Sequence, residues 1–218
     1  MPNELLASII VVAIMLLVGF PVHEFSHALA AYRLGDSTAK HLGRLTLNPI
    51  AHFDPLGGIL LAVTFIGSSG FGFGWAKPTP VNPNNLEGGR WGEAIVAIAG
   101  PISNLILAIA AALPLRYVLD HRDIASQIPP LVLTVLLLFV IINIILMIFN
   151  LFPIPPLDGS KVLFALLPPR VSWRWRPILE QYGFILLLLV FFLPPGNSIG
   201  GRIIGPIIDG FVRFLVGG

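Results

Sequence analysis

Residues 5–32 read LLASIIVVAIMLLVGFPVHEFSHALAAY, and this stretch decides the fold class. No charge falls between Leu5 and Val22, and apolar character resumes from Ala28 to Tyr32. A helix over these residues would be about 42 Å long, more than the roughly 30 Å hydrocarbon core of a bilayer. It reads as a retained span and not a cleaved signal, because it lacks a basic n-region and its apolar run is too long. The whole chain fits a membrane setting. Of 218 residues 56% are apolar, only 11% are charged, and the mean hydropathy is +0.88. An ordinary soluble domain carries about 25% charged residues. Such apolarity excludes a disordered chain, and the absence of cysteine excludes a disulfide scaffold. The pI of 9.3 reflects an excess of only two positive charges. No dense basic patch for nucleic acid exists.

Beyond this stretch, Ala94–Leu115 and Leu131–Phe152 are two more uncharged spans. Phe184–Leu193 and Ile203–Leu215 are shorter and interrupted by Pro, Gly or charge. The expected fold is an α-helical polytopic membrane protein: a three-helix core plus one or two weaker C-terminal helices. Residues 1–218 read as a single membrane domain, with the core at about 5–168 and C-terminal hydrophobic segments at about 180–216. Arg33, Lys40, Arg44, Lys77 and Arg90 lie between the first two spans, and Lys161, Arg170, Arg174 and Arg176 follow the third. Two spans separate these basic connections, so they share one side, which the distribution of basic residues assigns to the cytoplasm. Leu56–Ile66 is too short to span. With the turn signal Gly67-Ser68-Ser69-Gly70 and the alternating Phe71–Trp75, it reads equally as a membrane-dipping hairpin over 56–80 or as a short helix followed by a Gly-rich loop.

The first span runs directly into Pro21-Val22-His23-Glu24-Phe25-Ser26-His27. On a helix, His23 and His27 share a face and can reach one ion, while Glu24 can address a water on it. With five His and five Glu in the chain, His-Glu-x-x-His is expected by chance roughly 0.003 times. Counting back from Arg33, the pair sits roughly 9–15 Å inside the interface. Each ionisable group at that depth costs roughly 2.5–3.5 kcal/mol, which a metal would compensate. A snorkelling polar helix end is the plainer alternative.

Two histidines need a third ligand. Asn150-Leu151-Phe152-Pro153-Ile154-Pro155-Pro156-Leu157-Asp158-Gly159 closes the third span at the same end. Its prolines preclude a regular helix and form a rigid arm. Asp158 would complete a set of two histidines and one carboxylate; alternatively it only makes a turn before Gly159.

These motifs resemble the site-2 protease family, the intramembrane zinc metalloproteases. The His23–His27 motif, the Asn150–Asp158-Gly159 arm and Ala99-Gly100-Pro101-Ile102-Ser103-Asn104 in the middle span carry the likeness. Asn48-Pro49, His52, Asp54-Pro55, Gly57 and Gly74-Trp75-Ala76-Lys77-Pro78 resemble the compact branch without PDZ or cystathionine-β-synthase-type domains. The resemblance covers roughly residues 18–168. It implies one Zn2+ held by His23, His27 and Asp158, with Glu24 as general base and Asn150 as a candidate oxyanion donor. It further implies a zinc metalloendopeptidase of a prokaryotic cell membrane with membrane-anchored proteins as substrates, and the distribution of basic residues puts the active site towards the cytoplasm. Asn150 could instead make interhelical contacts, and Asn104 could orient substrate or bond across helices. His52 and Asp54 could bind metal or organise a loop. A metal transporter would show inverted repeats or polar residues through several spans. A non-catalytic scaffold would lack an intact base or ligand set.

Overall fold

The computed structural model describes residues 2–67, 74–192 and 199–217. The chain starts with α1 (Pro2–Ile14), a π-helical turn (Met15–Gly19) and α2 (Phe20–Arg33), which follow one another without a break. Pro21 has no N–H to give the carbonyl four residues back, and its ring would crowd that carbonyl. The backbone widens just before it, and the Phe20 N–H reaches the Met15 carbonyl five residues back.

Two further long helices complete the core: α6 (Arg90–Asp120) and α8 (Pro130–Asn150). Ile9–Arg33, Arg90–Asp120 and Pro130–Asn150 are the three described helices long and apolar enough to cross a membrane. They match the three spans read from hydropathy, but α6 extends beyond Ala94–Leu115 at both ends. Hydropathy registers the part at hydrocarbon depth, while helical hydrogen bonding continues into the interface. Ile102, Ile106, Ile109 and Leu113 form an exposed apolar stripe down α6. In water such a stripe would be a liability; against acyl chains it is the expected outer surface. The chain is an integral membrane protein.

Small side chains let the helices approach. Ala108, Ala111 and Ala112 of α6 meet Val140 and Ile144 of α8 and Val216 of the C-terminal helix. Lipid tails are as apolar as these side chains, so close packing supplies the attraction. Short α3 (Thr38–His41) and α4 (Pro49–His52) lead to α5 (Pro55–Gly67), which lays Leu61 against Val11, Val12 and Met15. Residues 55–67 are thus helical, which corrects the hairpin reading of 56–80 for its first arm. Residues 68–73, with most of the alternating Phe71–Trp75 segment, lie outside the described residues. No strand occurs among the described residues.

From Gly74 the chain runs extended to a 3-10 turn at Pro83–Asn85. Fully buried Asp36 clamps this run to the end of α2. Its carboxylate accepts from the Thr38 N–H (3.1 Å) and hydroxyl (2.5 Å), the Asn82 N–H (2.7 Å) and the Asn85 amide (3.0 Å). Burial alone would push its pKa up; these donors hold it below the usual carboxylate value.

After α6 come α7 (Arg122–Ala125), α8, α9 (Gly159–Leu166), α10 (Pro169–Phe192) and α11 (Ile199–Val216). The two weak C-terminal segments are therefore helices. Arg176 of α10 grips buried Glu93 of α6 through two hydrogen bonds of 2.6 and 2.8 Å. Arg90 donates to the Leu167 carbonyl at 2.9 Å. These contacts bring the chain after the third span onto the start of the second.

Candidate metal centre

His23 and His27 stand one turn apart on α2, their rings edge to face with centroids 4.6 Å apart. Their Nε2 atoms are 3.0 Å from each other and 3.3 and 3.2 Å from Asp158 Oδ2. All three residues are buried. This is the group of metal-binding residue types found together among the described residues.

The outer ring nitrogens decide what these atoms are. His27 Nδ1 lies 2.7 Å from the Val96 carbonyl oxygen, which can only accept, so Nδ1 carries the proton. His23 Nδ1 lies 2.6 Å from Asn104 Oδ1 and donates likewise. Neutral imidazoles protonated at Nδ1 present bare lone pairs at Nε2. Two such lone pairs and a carboxylate oxygen therefore converge on one point, an arrangement that repels itself without a cation. A tetrahedral ion with ligand bonds of about 2.0–2.1 Å separates its donors by about 3.3 Å. The observed 3.0–3.3 Å triangle fits it.

Backbone close to the ligands holds this triangle. A Cβ on Gly100 would lie 2.5 Å from His27 Nε2 and 2.6 Å from His23 Nε2, so only glycine lets α6 pass beneath both rings. The arm before Asp158 contains a cis peptide between Pro155 and Pro156. A Cβ on Gly159 would overlap the Leu151 carbonyl, so the chain can double back there only with glycine. Lys161 Nζ lies 3.4 Å from Asp158 Oδ1, leaving Oδ2 for the histidines.

Glu24 lines a cavity of about 310 Å³ together with His23, Trp75, Asn150, Phe184 and Leu187. The Thr79 N–H donates to Glu24 Oε2 at 2.7 Å, and the Thr79 hydroxyl donates to the Glu24 carbonyl at 2.9 Å. Pro78 and Pro80 flank Thr79 and stiffen that contact. Asn150, the last residue of α8, shares the cavity and gives one amide proton to the Leu146 carbonyl at 2.9 Å. Asn104 bonds across helices, to His23 and, through Nδ2, to Asn143 Oδ1 at 3.1 Å. His52 Nε2 bonds the Thr46 carbonyl at 2.8 Å, and Asp54 accepts from the Gly57 N–H at 3.0 Å. Both organise the loop before α5.

Sequence reasoning passed over Asn143 and Thr79. A lone amide in an otherwise apolar span is a readable signal, since polar groups at that depth need partners. For Thr79 only its two prolines hinted at a fixed position.

The profile of peptidase family M50 matches residues 119–190, a range that contains Asn150 and Asp158. The "Putative zinc metalloprotease YwhC" of Bacillus subtilis (strain 168) is 42% identical over 189 residues, covering 85% of this chain and 82% of that protein. The "Putative zinc metalloprotease Rip2" of Mycolicibacterium smegmatis is 32% identical over 182 residues, and its Mycobacterium tuberculosis (strain ATCC 25618 / H37Rv) namesake 30% over 184. Those matches cover 64% and 66% of the mycobacterial proteins. No solved structure matches. With two-fifths identity to a bacterial relative over most of both lengths, the chain belongs to peptidase family M50.

Proposed function

We propose that this metalloprotease is an intramembrane zinc endopeptidase that cuts membrane-anchored proteins near the cytoplasmic face. The observation that carries the reading is the convergence of His23 Nε2, His27 Nε2 and Asp158 Oδ2, with both imidazole Nδ1 protons already committed. These three atoms would hold one zinc ion per chain. Zinc bound there supplies Lewis acidity, which acidifies a water and polarises the scissile carbonyl. Glu24 takes the water's proton and passes it to the leaving amine. The Thr79 N–H holds Oε2, so the other oxygen, Oε1, is the proton carrier. Asn150 spends one amide proton on its own helix and keeps the second to donate to the developing oxyanion.

A peptide bond inside a helix is sealed by its own hydrogen bonding, so a transmembrane substrate must unwind before Glu24 can serve it. The cavity beside Glu24 is mostly apolar, with Phe20, Trp75, Phe149 and Phe184 in its walls. It suits an extended segment with hydrophobic side chains. The Arg90–Leu167 and Arg176–Glu93 contacts support placing both basic connections on one face, and hence the site towards the cytoplasm. On this reading residues 1–218 act as one domain.

The experiment is cleavage of a transmembrane reporter by purified wild-type and Glu24→Gln protein. Loss of general-base catalysis is expected to cost about 10²–10⁴-fold in rate. Equal cleavage by both proteins would overturn the role of Glu24.

A further inference from the structure

A chain of two side-chain amides and one imidazole links all three spanning helices and ends on the metal site. Asn104 on α6 and Asn143 on α8 are both fully buried. At the far end the Asn143 amide Nδ2 donates to the Phe139 carbonyl at 2.9 Å. Its Oδ1 accepts from Asn104 Nδ2 at 3.1 Å. Asn104 Oδ1 faces His23 Nδ1 at 2.6 Å.

The direction of every bond follows from the first. A backbone carbonyl can only accept, so Asn143 must turn its NH2 group to Phe139 and its oxygen to Asn104. Asn104 must then offer its NH2 to Asn143 and its oxygen to His23. His23 in turn must donate from Nδ1, which leaves Nε2 unprotonated and aimed at Asp158. His27 needs no such relay, because the Val96 carbonyl fixes its Nδ1 proton directly.

We propose that Asn143 and Asn104 are positioning residues that lock His23 in its metal-binding tautomer, the Phe139 carbonyl setting the sense of the whole chain. This rests on the proposed zinc-binding role of His23. Asn143 is outside the ligand triangle and does not line the cavity beside Glu24. Without it the Asn104 amide loses its anchor and can present NH2 to His23 Nδ1. That orientation selects the proton on Nε2 and removes the ligand lone pair.

The test is zinc affinity, measured by chelator competition at fixed pH, together with the visible spectrum of the cobalt-loaded protein. Outer partners of ligating histidines are worth about 10–100-fold in metal affinity. Asn104→Leu is expected in that range and Asn143→Leu near its lower end, each with a shifted cobalt spectrum. Asn143→Asp, neutral when buried in the apolar span, keeps an acceptor for Asn104 and a donor for Phe139 and should recover most of the loss. The double Asn104→Leu/Asn143→Leu variant should bind zinc no more weakly than Asn104→Leu, since the two residues act in series. Asn143→Ala serves the same comparison should the leucine variant not accumulate. Wild-type affinity in Asn143→Leu and Asn143→Ala, or additive losses in the double variant, would overturn the proposal. Full zinc affinity in His23→Ala would instead overturn the underlying reading, so the two failures are distinguishable.

Discussion

Two regions of the three-helix core use opposite materials. Around Ala108, Ala111, Ala112, Leu115, Val140 and Ile144, α6 and α8 meet through apolar groups, with Val216 of α11 packed against them. At the level of Asn104 and Asn143 the same two helices meet each other and His23 and His27 of α2 through buried polar atoms, each with a partner, and Asp158 joins from the arm before α9. Dispersion and close fit hold the first region, and its tolerance depends on volume. The second is held by directed bonds, where one misplaced proton changes the chemistry. The α6–α8 pair therefore carries a packing half, shared with α11, and a chemical half, shared with α2.

The largest contrast between them should come from adding a Cβ. Gly100→Ala places a methyl within 2.6 Å of both imidazoles, and we expect proteolysis to fall by at least about 100-fold, in line with displacement of reacting groups by about 1 Å. Ala112→Leu, about three turns further along α6, should instead lower stability by about 1–3 kcal/mol while the folded fraction keeps its turnover. Reporter cleavage normalised to folded protein separates the two. Equal turnover losses would erase the distinction between the halves.

A smaller effect is expected at the Glu93–Arg176 pair, which ties α10 to the start of α6. Glu93 is buried but Arg176 is a third exposed, so solvent screens the pair. Glu93→Gln should cost about 1–2 kcal/mol in thermal or denaturant unfolding, less than a fully buried pair would. Because Phe184 and Leu187 of α10 line the Glu24 cavity, the same variant should raise KM for the reporter more than it lowers kcat.

The smallest expected effect is at Asp36. Its folded pKa lies below the unfolded value, so its contribution is complete above about pH 4 and is lost as pH falls through the folded pKa. Asp36→Asn should cost about 1 kcal/mol near neutrality and flatten the acid limb of the stability profile. Unchanged acid sensitivity would show that another carboxylate controls that limb.

The chemical half was the more legible of the two in the sequence. His23 and His27 at one-turn spacing, and Asp158 behind its prolines, stand out because charge is scarce and prolines preset the backbone. The three spans were equally plain from hydropathy. Residues 55–67 were not, because a short apolar run has too few periods to tell a helix from a strand. The C-terminal helices were weak signals because Pro177 and Pro206 lie inside them and α11 carries Arg202, Asp209 and Arg213. Asn143 and Thr79 act through bonds to residues 39 and 55 positions away, which no local pattern encodes. The backbone carbonyl of Val96 has no sequence signature at all.

The central claim is that His23, His27 and Asp158 hold zinc while Glu24 does chemistry beside it. Zinc content of the purified protein tests it most directly, measured on wild type, Asp158→Ala and Glu24→Gln, with folding verified by thermal melting. The account predicts one zinc per chain in wild type and Glu24→Gln, and loss of zinc from folded Asp158→Ala. Folded Asp158→Ala that retains a full equivalent of zinc would contradict it.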